Sequence, residues 1–163
     1  MAVLEIRKFK DPILRQKSQD IEEITDEIRK LAQDMKETME KNQGVGLAAP
    51  QIGINKRIIA INPDLTNQEF SVLINPKITK ISREKETNEE GCLCFPRLFL
   101  KIKRAKEVEA EGTKENGEKI KINAKGLLAR VLQHEIDHLN GILIIDRLNF
   151  WQRWKIRKEL RKI

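Results

Sequence analysis

Gln133-His134-Glu135-Ile136-Asp137-His138 contains both histidines of the 163-residue chain, four positions apart, with a glutamate beside the first. Leu127, Leu128, Val131, Leu132 and Ile136 recur at helical spacing around it. The segment therefore reads as a helix over 126–139 that stops at Asn140-Gly141. On a helix, positions i and i+4 lie on one face. The two imidazoles can converge on one cation while the neighbouring carboxylate reaches a water beside it, an arrangement suited to metal-assisted hydrolysis. Helix histidines also serve as packing or surface groups, and a pattern this short arises by chance. What favours a metal site is that a histidine-poor chain places both of its imidazoles inside it.

Outside this helix the chain reads as one domain, 1–163, of α+β class, with antiparallel strands packed around the motif helix and a basic helix at 148–163. Thr25 can cap a helix with Asp26 and Glu27 in its first turn. Ile28, Leu31, Ala32, Met35 and Met39 follow at helical spacing, and the helix ends near Asn42. Short Ile- and Val-rich runs predict strands at 57–61, 71–78, 101–110 and 118–122, the last two joined through Asn116-Gly117, a strong hairpin signal. With 35% charged residues, few aromatics and no tyrosine, the core must be built of Ile, Leu and Val. The charge is interleaved with apolar positions, which excludes a disordered chain.

No apolar run approaches the roughly 20 residues needed to cross a bilayer, and Met1-Ala2-Val3-Leu4-Glu5 does not open a secretory signal. A cytoplasmic protein without membrane or DNA partners is expected. The cysteines are Cys92 and Cys94. In a strand they would point to opposite faces, so a mutual disulfide is expected to be poor, and free thiols suit a reducing compartment. Of the net charge of +7, much lies in residues 146–163, where seven basic residues face Asp146 and Glu159, a local net of +5.

Two imidazoles do not complete a catalytic site, which usually takes three protein ligands and leaves one position open. With no histidine left, the third ligand is a cysteine or a carboxylate. Cys92 in Glu90-Gly91-Cys92-Leu93-Cys94 would give a Cys/His/His set. Glu159, 21 residues beyond His138, would give the His/His/Glu set of a zinc endopeptidase. A third constellation, Gly44-Val45-Gly46-Leu47-Ala48-Ala49-Pro50-Gln51, lacks the lysine and hydroxyl residues of a phosphate loop and alone reads as a tight turn.

Taken together, Gly44 to Gln51, Glu90 to Cys94 and Gln133 to His138, in this order and spacing, resemble the three motifs of the peptide deformylase family, and the likeness covers essentially the whole chain. The resemblance implies a peptide deformylase-like fold of the bacterial type with a helical C-terminus. It implies removal of the formyl group from N-formylmethionyl nascent peptides. It decides the third ligand for Cys92, beside His134 and His138, with a fourth position for water. Glu135 would take a proton from that water and later pass it to the leaving amine. The Gln51 amide and the Leu93 backbone N–H would stabilise the developing oxyanion. Val45 and Gly46 would bind the peptide as an added strand, and an apolar pocket near Val45, Leu93 and the motif helix would take the methionine side chain. The family implies Fe(II) as the ion, although such a donor set also accepts Zn, Ni or Co.

This chain departs from the family in having Cys94 where serine is usual. Position 94 is expected to face away from Cys92 and spare the site, while a nearby second thiol would ease oxidation. The tail at 148–163, with Trp151 and Trp154, is expected to pack Ile156 and Leu160 on the domain. Its basic face would contact the ribosome near the peptide exit, with salt-sensitive binding. A monomer is expected. A non-enzymatic RNA-binding protein with a structural metal is the remaining alternative.

Overall fold

The computed structural model describes residues 3–163. Helix α1 (Asp26–Lys41) begins where Thr25 accepts the Ile28 N–H, 3.4 Å away, and buries Ile28, Ala32, Met35 and Met39 on one face, as the spacing predicts. The chain then runs through β1 (Gly46–Ala48), a tight helical turn at Ala49–Ile52, β2 (Ile58–Ile61), the short α2 (Pro63–Thr66) and β3 (Val72–Ile81). After β4 (Lys85–Cys92), β5 (Phe95–Ala105), β6 (Glu107–Thr113) and β7 (Lys119–Lys125) comes α3 (Gly126–Leu139), followed by α4 (Phe150–Lys155) and α5 (Arg157–Leu160).

Five strands form one antiparallel sheet in the order β1-β2-β3-β6-β7, and β4 and β5 form a separate two-stranded sheet. The α+β class and antiparallel pairing are as expected, but the single strand predicted at 101–110 is two strands. The chain leaves one sheet at Ala105 and enters the other at Glu107, while the Lys106 N–H donates to the Glu84 carbonyl at the crossover. A continuous apolar alternation conceals this change of partner. Strand β4 gave no signal, because Lys-Glu-Thr-Asn-Glu-Glu carries almost no apolar phase. The hairpin at Asn116-Gly117 joins β6 to β7, with Thr113 opposite Lys119 and Gly117 at φ 88°. That left-handed conformation is inexpensive only for glycine.

Helix α3 packs against both sheets, and every residue from Leu128 to Leu139 is buried. Its apolar residues Leu128, Val131, Leu132 and Ile136 join a core with Ile59, Ile61, Leu73 and Val108 from the large sheet. The face of α1 with Met35 and Met39 meets the same sheet through Ile58, Ala60 and Ile74.

The tail is not the single helix expected at 148–163. It breaks at Ile156 into α4 and α5, and the break lets Ile156, Leu160 and Ile163 reach the cluster of Leu14, Phe95, Leu98 and Ile144. Phe150, Trp151 and Trp154 stay exposed. Among the described residues no helix is long and apolar enough to cross a membrane.

Candidate metal centre

A helix buried all round must match each of its polar side chains or bear the cost of desolvating them. Helix α3 buries six: Arg130, Gln133, His134, Glu135, Asp137 and His138. Gln133 is matched by the backbone, its Oε1 accepting the Ala105 N–H and its Nε2 donating to the Ala105 and Ala129 carbonyls, all at 2.9–3.0 Å. Arg130 donates to Glu90 at 2.5 Å and to the Ile102 carbonyl at 3.0 Å. Asp137 accepts from Arg104 at 2.6 Å and from two nitrogens of Arg147 at 2.5 and 2.9 Å. Two atoms of the helix have no partner: Oε2 of Glu135 and Nδ1 of His138. The uncompensated groups lie in the histidine motif.

Cys92 closes the cluster. Strand β4 ends at Cys92 and pairs it with Phe95, so Leu93 and Cys94 form a two-residue turn that delivers the Cys92 sulfur to α3. It lies 3.3 Å from His138 Nε2. The ligand atoms of Cys92, His134 and His138 all fall within 4.8 Å of one another. Ligands 2.0–2.3 Å from a shared cation stand about 3–4 Å apart, so the set fits a divalent transition metal with little adjustment. His134 directs Nδ1 at Glu90 Oε1, 2.9 Å away, which leaves Nε2 for the ion. Burial, with the nearby His134 and Arg104 charges, pushes His138 well below the usual imidazole range and keeps it neutral, as a ligand must be. The hydrogen bond with Cys94 and burial push the Cys92 thiol up, so cation binding there must displace its proton.

Glu90 anchors the arrangement from behind. Besides His134 and Arg130, it accepts two hydrogen bonds from Arg104, both 2.9 Å, and Arg104 reaches on to Asp137. Burial alone would raise the Glu90 carboxyl, but the hydrogen bonds from His134 and Arg104 outweigh it and hold the group below the ordinary carboxylate range. Sequence reasoning missed Arg104, Arg130 and Arg147 and gave Asp137 no role. A signal existed for Arg104: it occupies the inward phase of β5 after Leu98, Leu100 and Ile102, where a charge needs a buried partner.

Glu135 is the carboxyl left ionisable at neutral pH. Burial, reinforced by the Glu90 and Asp137 charges against the opposing His134 and Arg104, pushes it up to about 7. That value lies near the optimum for a group that must both take and return a proton. Gly46 makes its position possible, since a β-carbon there would stand 2.5–2.9 Å from the Glu135 carboxyl and Cγ. Gln51 is fully buried on the Ala49–Ile52 turn. Its Oε1 accepts the Ala48 N–H at 2.8 Å, and its Nε2 points at the sulfurs of Cys92 and Cys94, 3.5 Å from each. The expectation that Cys94 faces away from Cys92 is therefore wrong. The strand alternation behind it does not apply inside a turn.

A cavity of about 570 Å³ opens onto these groups. Val45 and Gly46, at the start of the edge strand β1, form one wall; Leu93, Leu127 and Val131 supply apolar surface, and His134 and Glu135 the polar end. Glu159 does not join the site. It is exposed on α5, and the metal-ligating cluster has Cys92 in its place.

The chain as a whole is similar to known proteins. The polypeptide deformylase family profile matches residues 3–154. A peptide deformylase of Thermodesulfovibrio yellowstonii is 47% identical over 163 residues, covering 99% of this chain and 98% of that one. The crystal structure of a peptide deformylase from Legionella pneumophila superposes with a TM-score of 0.91 at 37% identity, covering 99% of this chain and 95% of that one. That of Ehrlichia chaffeensis gives 0.89 at 40% identity, covering 99% and 96%. With sequence and fold in agreement over nearly the full chain, this protein belongs to the polypeptide deformylase family.

Proposed function

We propose that this protein hydrolyses the formyl group from N-formylmethionyl ends of nascent peptides, giving formate and a free amine. The observation that carries the reading is a three-ligand set, Cys92, His134 and His138, beside a buried glutamate with an unmatched oxygen, both at the polar end of a peptide-sized cavity. Cys92, His134 and His138 would hold a divalent cation, which would supply Lewis-acid polarisation of the formyl carbonyl and of a water. Fe(II) is the proposed ion; the soft thiolate and two imidazoles would also accept Zn, Ni or Co.

Glu135 takes the proton of the attacking water and returns it to the departing amine, for which its value of about 7 suits it. Gln51 Nε2, oriented by the bond that fixes its Oε1, offers one donor to the formyl oxygen, and the Leu93 N–H in the neighbouring turn offers the second. The peptide lies along the open edge of β1 at Val45 and Gly46, and its methionine side chain enters the apolar surface of Val45, Leu93 and Val131.

The chain acts as a single catalytic domain, 1–163, as a monomer in the cytoplasm. Its basic tail, with Trp151 and Trp154 exposed beside six cations, docks on the ribosome, and that association should weaken as salt rises. The deciding experiment measures formate released from an N-formylmethionyl tripeptide by Fe(II)-loaded protein prepared without oxygen. Release that needs Glu135 and leaves peptide bonds intact supports the reading. A fully metal-loaded protein that yields peptide fragments and no formate overturns it.

A further inference from the structure

Cys94 has no part in the proposed chemistry, yet its side chain is fully buried against the one sulfur that does. The Leu93-Cys94 turn brings both thiols to the same side, where one amide nitrogen of Gln51 reaches each at 3.5 Å. Access differs between them. Cys92 is half-buried and lines the cavity, whereas Cys94 is sealed in the core with Leu14 and Phe95.

We propose that Cys92 and Cys94 form a reversible modification site, in which peroxide oxidises Cys92 from the cavity and Cys94 captures the product as an intramolecular disulfide. The part of this that concerns the metal rests on the proposed role of Cys92 as a ligand. In the first step the Cys92 sulfur attacks hydrogen peroxide, the O–O bond breaks, and a sulfenic acid and one water result. In the second, the Cys94 sulfur attacks the sulfenic sulfur, the S–S bond forms, and the departing hydroxide leaves as water with the Cys94 proton. Two thiols give up two electrons, and one peroxide becomes two waters.

A second peroxide would have to enter the cavity before it could carry Cys92 to the irreversible sulfinic acid. Cys94 is already in place, so the intramolecular capture has the advantage. Disulfide formation withdraws one of three ligands, releases the metal, and leaves a thiol reductant able to restore the site.

The test treats zinc-loaded protein with hydrogen peroxide, zinc being chosen because it takes no part in the redox chemistry. Cysteine oxidation is read by mass without reductant, and zinc release in parallel. The wild type should lose about 2 Da, yield a peptide linking Cys92 to Cys94 and release zinc stoichiometrically, with mass and zinc binding restored by dithiothreitol. C94S should gain about 32 Da at Cys92, and dithiothreitol should not reverse it. The proposal is overturned if wild-type Cys92 reaches the sulfinic acid as fast as in C94S while the Cys94 thiol can still be alkylated. It is equally overturned if neither sulfur reacts at a peroxide concentration that oxidises free cysteine. A disulfide that forms while zinc stays bound would uphold the pairing and remove Cys92 from the ligand set, so the two readings fail separately.

Discussion

Replacing Glu135 with glutamine should abolish formate release and, in the metal-free protein, make the fold more stable at neutral pH. The carboxyl is almost completely buried, one of its oxygens has no partner, and its ordinary value of 4.5 is pushed up to about 7. A carboxyl raised in this way favours the folded state only while protonated. Below about 4.5 the group is neutral in both folded and unfolded chains and costs nothing. Between 4.5 and about 7 the unfolded chain ionises and the folded one resists, so stability falls. Above about 7 the penalty is constant, at about 3 kcal/mol. Glutamine keeps the shape and removes the charge. Whatever its own unmatched amide costs does not change with pH, so the difference between variant and wild type should climb by about 3 kcal/mol across that window. For a chain of this length the rise corresponds to roughly 6–12 °C in Tm. Urea unfolding of both proteins, metal-free, over a pH series measures it directly. A difference that stays flat from acid to neutral pH would show that Glu135 is not held protonated by its surroundings. Zinc should move the window to lower pH, because a nearby cation favours the carboxylate.

Three other perturbations address neighbouring groups. In Gly46→Ala the new β-carbon would stand 2.5–2.9 Å from Glu135, so formate release should fall on the order of 100-fold while metal content measured by atomic absorption is unchanged. Glu90→Gln leaves Arg104 and Arg130 facing a neutral group and should cost about 3–5 kcal/mol in denaturant unfolding and about 10–100-fold in zinc affinity. Because the Glu90 carboxyl is held low, its contribution is present above about 4.5 and fades as the pH drops further, so the gap between variant and wild type should narrow in acid. Cys92→Ser should lose the metal, whereas Glu159→Gln, altered on the exposed α5, should retain both metal and formate release.

Much of the fold was legible because its elements carry their own periods. Thr25 and the Met35 and Met39 face define α1, and the apolar residues around the histidines define α3. What escaped has the opposite character. The exchange of sheets at Lys106 happens within an unbroken apolar alternation, β4 has no apolar phase, and the tail breaks at Ile156 to seat side chains whose partners lie far away in sequence. Local patterns report which side of an element is buried, not which element buries it.

The site divides along the same line. The residues proposed to meet the reacting groups are close in sequence to one another or to a recognisable motif, so His134, His138, Glu135, Cys92 and Gln51 could be named as candidates in advance, and the fold brings them together. The residues that hold them come from wherever the fold supplies a countercharge: Arg104 from β5, Arg130 from α3 and Arg147 from the segment beyond it. These three guanidiniums surround two buried carboxylates, Glu90 and Asp137, and Glu90 in turn meets His134. Arg104 opposes protonation of His138, whose neutral form a metal would need, while Glu90 and Asp137 add to the burial that raises Glu135. Of the polar side chains that α3 buries, only Glu135 Oε2 and His138 Nδ1 are left unmatched, and the ion network that matches the rest tunes the two groups that carry them.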